Sequence, residues 1–346
     1  MKKQIITIGL TPAWDRTIEI DGIDWNEHKI ISSQRIVPAG KALNINKSLA
    51  WMGVKSTAAG LWGSHDFEQM KKTIAGADLC VCPKRANTQV RPYINIQMTK
   101  AVGRTRENIT VVDTKNKRQI HLRDKSTLAN QKSLKLLKQD LGKIISKDSL
   151  CVFAGAAPIE TVELLELAKK KGSLVIVDTS GPALKKIVSK GGLFLIKPNV
   201  EELGELVGKK IRNEEKEIIF ASKKLLTKSK LILVSRGEKG AMLLFRSEPR
   251  ASATGTVVAI SAKYTGKKYP VCNTVACGDY LLAGFLSVIA RSKATRQSQP
   301  AELLCADALE TAIKSATAKA FGINEDFSWL KVKNIMKIRL SSAYEI

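Results

Sequence analysis

The sequence predicts an α/β fold: a doubly wound, mostly parallel sheet with helices on both faces, plus a small β-sheet set apart as a lid. Three observations predict it. From residue 130 onward, helical and strand patterns alternate. The strands there are unbroken apolar runs, as strands buried on both faces are: Leu150-Cys-Val-Phe-Ala154, Leu174-Val-Ile-Val-Asp178, Leu193-Phe-Leu-Ile196 and Leu231-Ile-Leu-Val-Ser235. Before residue 130, two separated blocks instead alternate apolar with polar residues, the mark of half-exposed strands.

In order, Gln4-Ile-Ile-Thr-Ile8 reads as a first strand, followed by half-exposed strands at 16–20 and 29–37. A helix starts near Gly40 and stops at Gly53; a strand at 56–61 and a helix at 65–75 follow. Alternation returns at 93–98, 108–112 and 118–122. One domain spanning 1–346 is expected, its lid built from two insertions, about 12–38 and 88–124. Helices at 130–146, 158–171, 181–190, 199–207 and 213–227 separate the apolar strands. Strands at 241–245 and 256–260 read as antiparallel edges, and helices at 279–291 and 301–320 close the fold. Residues 291–300 read as a loop.

Composition narrows the class. An apolar content of 44% supports a packed core, and the longest strongly apolar run, 281–290, is too short to span a bilayer. The N-terminus lacks a cleavage site, so a cytoplasmic chain without membrane association is expected. The cysteines at 80, 82, 151, 272, 277 and 305 form no C-x-x-C pair and indicate neither a zinc site nor a disulfide framework; Cys151 reads as a core thiol. Lys plus Arg (57) exceed Asp plus Glu (32), a net charge of +25 that would attract phosphorylated small molecules or nucleic acid alike. The bases are scattered and aromatics are only 5%, which argues against a nucleic-acid surface.

The most informative segment is Asn273-Thr-Val-Ala-Cys-Gly-Asp279, opening an apolar helix. Unpaired amides and the helix dipole make such a turn an anion site. A carboxylate there makes sense as a proton acceptor for an attacking hydroxyl, although Gly278-Asp279 alone also fits an ordinary helix cap. The other strand ends carry Asp178-Thr-Ser-Gly, Lys197-Pro-Asn-Val-Glu-Glu202 and Ser235-Arg-Gly-Glu-Lys-Gly240, where ligands of such sheets bind. Neither a G-x-G-x-x-G after an early strand nor a Walker A sequence occurs.

Together, Val177–Leu184, Leu195–Leu203, Val234–Ala241 and Asn273–Asp279 resemble, in order and spacing, the pfkB or ribokinase-like carbohydrate kinases. The likeness is to the branch holding 1-phosphofructokinase and tagatose-6-phosphate kinase, and it runs from about residue 5 to 320. It implies ATP- and Mg²⁺-dependent phosphorylation of a phosphosugar, fructose 1-phosphate leading, with tagatose 6-phosphate and fructose 6-phosphate as alternatives. By the same likeness Asp279 is the catalytic base, with Ala276, Cys277 and Gly278 in its anion hole. Lys197, Asn199, Ser235, Gly237 and Gly240 fall at the ATP site, and Asn199 with Glu202 would hold Mg²⁺ through water. Asn199 and Glu202 also fit a plain capping box. Asp15, Lys29, Gly40, Lys41, Asn44 and Arg106 match the sugar-phosphate site. A homodimer through the lid is implied as well. At a helix start Asp279 is expected to have a lowered pKa.

Departures from the family pattern are explicit. Gly-Ala-Gly-Asp is Ala276-Cys-Gly-Asp, Gly-Gly-Lys-Gly is Ala39-Gly-Lys-Ala42, and Ser-Gly-Ser-x-Pro-Pro-Gly is Ala154-Gly-Ala-Ala-Pro-Ile-Glu160. Ala276 is expected to lower activity if its position needs positive φ. These changes motivate a rival reading, a degenerate member that binds sugar phosphate or nucleic acid without turnover.

Overall fold

The computed structural model describes residues 3–76, 93–247, 256–267, 269–272, 274–292 and 302–345. Cys80, Cys82, Asn273 and most of the expected loop at 291–300 lie outside them.

The N-terminal half holds β1 (Gln4–Gly9), β2 (Ala13–Ile20), β3 (Ser33–Ala39), α1 (Lys41–Trp51), β4 (Ser56–Gly63) and α2 (Phe67–Gly76). Then come β5 (Ile94–Ala101), β6 (Arg106–Asp113), β7 (Arg118–Arg123), α3 (Gln131–Ile144) and β8 (Ser149–Ala154). The middle runs α4 (Thr161–Lys170), β9 (Leu174–Asp178), α5 (Gly181–Lys190), β10 (Leu193–Ile196), α6 (Val200–Val207), α7 (Glu215–Leu225) and β11 (Ser229–Ser235). Last are β12 (Ala241–Arg246), β13 (Val257–Tyr264), α8 (Cys277–Ile289), α9 (Glu302–Ala320), α10 (Ile323–Asp326), α11 (Trp329–Ile335) and β14 (Ile338–Glu345).

Ten strands form one sheet in the order β14-β13-β12-β11-β10-β9-β8-β1-β4-β5. Pairing is parallel from β11 through β5 and antiparallel among β11, β12, β13 and β14. The chain leaves β1 toward β4 and β5, then returns to β8 on the other side. The topological switch point therefore lies at β1, where such sheets hold ligands.

Side chains alternate through the sheet into two cores. Ile6, Ile8, Phe153 and Val177 meet Leu137, Leu141, Leu165 and Ile187 of α3, α4 and α5. Ile5, Val152 and Ile176 belong to the opposite core, with Ile45, Leu49, Leu282, Phe285 and Leu309 of α1, α8 and α9. Each such aliphatic or aromatic burial contributes ~1.5–3 kcal/mol. Glycines permit the closest approaches. A Cβ on Gly60 would sit 2.0 Å from the Gly9 carbonyl oxygen, so β1 and β4 close up only around glycine there.

A second sheet, in the order β3-β2-β6-β7, stands where the lid is expected, and is called the lid below. The 94–101 strand, read above as part of the lid, instead joins the main sheet parallel to β4. Its alternating burial is that of an edge strand with one covered face, a pattern that a lid strand also gives. The strands at 241–246 and 257–264 are antiparallel as expected, but β13 is not an edge: β14 pairs with it from Val257↔Glu345 to Tyr264↔Ile338.

Candidate active site

The switch point gathers side chains from two strand ends and two helix starts. Asp279, buried in the first turn of α8, accepts a hydrogen bond from Asn44 Nδ2 of α1 (2.9 Å). Asp178 ends β9, buried, and its Oδ1 faces two ammonium groups: Lys41 Nζ at 3.2 Å and Lys197 Nζ at 3.3 Å. Lys197 also borders the turn before α8, since a Cβ on Gly278 would lie 3.4 Å from its Nζ.

Burial raises the Asp279 carboxyl to about 7; Asp178 pushes the same way, against the Asn44 hydrogen bond, Lys41 and Lys197. The lowering expected from the helix start is thus reversed. A helix terminus is worth ~0.3–1 kcal/mol to an exposed charge, and desolvation of a fully buried carboxylate costs more. Asp178 in turn raises Lys41, with smaller help from Asp279 and Glu202. A near-neutral base beside fixed cations is the arrangement proton acceptance near pH 7 requires.

The turn itself is strained. Ala276, the N-cap of α8, has φ 66° and ψ 3°, in the left-handed region that glycine adopts freely and alanine does not. In this turn Cys277 N–H donates to Thr274 O (3.3 Å) and Asp279 N–H to Ala276 O (2.9 Å), while Gly278 N–H has no main-chain acceptor among the described residues.

The remaining residues fall into two groups around this centre. Asn199 and Glu202 form a reciprocal capping box on α6: Asn199 N–H donates to Glu202 Oε2 (2.9 Å) and Glu202 N–H to Asn199 Oδ1 (2.7 Å). Ser235 N–H donates to Pro198 O (3.0 Å), tying the two strand ends together. Gly237 (φ 60°) and Gly240 (φ 84°) shape the turn into β12, and a Cβ on Gly240 would meet Ala262 O at 2.0 Å. Arg236 turns away to Asn213 and Glu215.

At the lid root, Asp15 of β2 accepts from Asn108 Nδ2 of β6 (2.8 Å). Gly40 (φ 115°) packs on Pro12, where a Cβ would be 3.2 Å from its Cα. Arg106 gives its guanidinium N–H groups to the carbonyls of Pro12, Asp124 and Thr11. Burial lowers its pKa, with Asp15 opposing.

Lys29 is not brought to this site. It lies past the Glu19↔Ser33 pair that ends the β2–β3 ladder and pairs with Glu27 (2.5 Å). Four strand residues, ~13 Å, already separate Asp15 from Glu19. Sequence reasoning marked Asp178 as a strand end without a role, and passed over Asn108 and Lys47. An apolar run ending in Asp was the signal for the first; nothing local marked the other two.

Among the described residues, no helix is long and apolar enough to cross a membrane, and no cluster of three or more His, Cys, Asp or Glu stands ready for a metal. The chain is 27% identical over 292 residues to a 1-phosphofructokinase of Rhodobacter capsulatus, covering 83% of this chain and 84% of that protein. It is 25% identical to a tagatose-6-phosphate kinase of Staphylococcus epidermidis, over 82% and 84%. The Escherichia coli phosphofructokinase-2 structure, in its tetrameric inhibited form, superposes with a TM-score of 0.78 over 96% of this chain and 98% of that one, at 20% identity, a likeness of fold. The model of the pfkB family carbohydrate kinases matches residues 91–321, more than half the chain. On that match, with Asp279, Asp178, Lys41 and Lys197 gathered at the switch point of the sheet, the chain belongs to the pfkB family of carbohydrate kinases.

Proposed function

We propose that the chain transfers the γ-phosphoryl group of ATP to a primary hydroxyl of a ketohexose phosphate, with fructose 1-phosphate the leading acceptor. Tagatose 6-phosphate and fructose 6-phosphate are the alternatives, since relatives of comparable identity carry the 1-phosphofructokinase, tagatose-6-phosphate kinase and 6-phosphofructokinase names. The observation that carries the reading is Asp279: buried, raised to about 7 and held by Asn44.

In this reading Asp279 accepts the hydroxyl proton late in a loose transition state. Asn44 fixes which carboxylate oxygen faces the acceptor. Lys41 and Lys197 sit where charge gathers on the transferring group, and the Gly278 N–H adds a preset donor. Ser235, Gly237 and Gly240 form the turn for the nucleotide phosphates. Asp15 and Arg106 hold the acceptor at the lid root, and the lid excludes water that would otherwise consume the donor. Mg²⁺ fits the residues present: Asp178 Oδ2 is buried without a hydrogen-bond partner among the described residues, and Glu202 uses Oε2 for the α6 cap. Asp178, Glu202 and Asn199 would hold it through water, where it supplies neutralisation of the donor phosphates.

The test is ADP release over a panel of phosphosugars, with Asp279→Asn alongside. Wild-type turnover should fall ~10²–10⁴-fold in the variant. Because the base works ionised, wild-type kcat/KM should fall as pH drops through about 7. Undiminished turnover in the variant rejects Asp279 as the base; no turnover with any phosphosugar supports the non-catalytic rival.

A further inference from the structure

α1 carries three long polar side chains at steps of three along its length: Lys41, Asn44 and Lys47. Such residues form one ridge on a helix. Asp178 and Asp279 account for the first two. Lys47 Nζ instead donates to Pro38 O (2.5 Å), in the lid strand β3 that runs directly into α1. Pro38 pairs with Trp14, next to Asp15, so this contact fixes both inner lid strands where they leave the core.

The charges around Lys47 come from three other elements: Asp15 of β2, Arg35 of β3 and Lys319 of α9. Asp15 and Arg35 lie on one face of the lid sheet, which sets Lys47 beneath that face. Among the described residues, no carboxylate closes an ion pair with it. Lys319 takes Glu325 (3.5 Å), and Asp15 takes Asn108 (2.8 Å). Among the described residues, a half-buried ammonium therefore stands beside Asp15 with a carbonyl as its hydrogen-bond partner.

We propose that Lys47 is a positioning residue for the acceptor phosphosugar, pinning the lid root to α1 so that Asp15 and Asn44 face the same guest. The proposal rests on the phosphosugar reading above. Burial lowers Lys47 to about 8, with Arg35 and Lys319 in the same direction and Asp15 opposing. The sign follows. Below that pH the charge is present; above it the charge is lost and acceptor affinity weakens. Asp279 is already ionised there, so kcat stays on its plateau.

The experiment measures the Kd of fructose 1-phosphate and of tagatose 6-phosphate by calorimetry. It also measures kcat and KM, in wild type, Lys47→Arg and Lys47→Met, from about pH 6 to about pH 9.5. Wild-type Kd and KM should rise above about pH 8 and level off ~10-fold above their neutral values, the level of Lys47→Met. Lys47→Arg should hold both low and flat, because a guanidinium keeps its charge. Lys47→Met should show ~10-fold weaker binding at pH 7 and no alkaline limb, with kcat within ~2-fold. An alkaline limb that persists in Lys47→Arg overturns the proposal, as does wild-type affinity in Lys47→Met. If the Met variant does not fold, the Arg profile alone decides. Binding without turnover rejects the kinase reading while still testing Lys47 through Kd; no binding of either sugar overturns both.

Discussion

At the scale of single residues, the site departs from local rules where chemistry is placed. Ala276 adopts φ 66° at the start of α8, which costs a residue with a Cβ ~1–2 kcal/mol. Glycine there would lose ~0.5–1 kcal/mol to its freer unfolded chain. Relief of strain wins narrowly, so Ala276→Gly should raise unfolding stability by up to ~1 kcal/mol in urea titrations, with kcat unchanged or higher. A loss of both stability and kcat would show that the alanine is tuned to its turn. Asp279 could be found in the sequence because a small-residue turn precedes an apolar helix. Its pKa could not, because burial is decided by packing far along the chain. Asp178 was hidden for a related reason: its partner Lys41 is 137 residues away in sequence.

Elements were legible in proportion to how fully they are buried. β8, β9 and β10 are buried along their whole length and announce themselves as apolar runs. β5 and β14, which end the two flanks of the main sheet, resemble surface sequence: β5 reads as a lid strand and β14 carries no strand signal. The crossing of α8 on α9 is set by Gly284, where a Cβ would lie 2.7 Å from Ala312 Cα and Thr311 O. Alanine gains ~1 kcal/mol of helix propensity over glycine, but overpacking against backbone costs ~1–3 kcal/mol. Gly284→Ala should therefore lower the melting temperature, and it should lower kcat as well, because α8 carries Asp279 at its other end. A melting temperature at or above wild type would mean that α9 yields freely.

For the whole molecule, the lid has two unlike faces. Asp15, Thr17, Arg35 and Asn108 share the inner one. Ile18, Ile20, Ile109, Val111, Ile120 and Leu122 share the other, with Ile120 55% and Leu122 49% exposed. We propose that a second copy covers this apolar face, giving a homodimer through the lid. Ile120→Asp with Leu122→Asp should convert it to a monomer in sedimentation equilibrium without lowering the melting temperature of the core. A monomeric wild type would reject the interface. The overall architecture was readable before any coordinates, because a doubly wound sheet follows from alternating helices and apolar strands. The lid's membership was not, because half-exposed strands look alike wherever they pair.

Asp178 shares one oxygen between Lys41 and Lys197. Stripping a buried carboxylate of its sole counter-ion costs ~3–5 kcal/mol. In the proposed transfer, two counter-ions would let either lysine turn toward an arriving phosphate while the other stays behind as chaperone to the acid. The protein thus keeps a spare cation in reserve, and lending one out leaves no stranded charge in its interior.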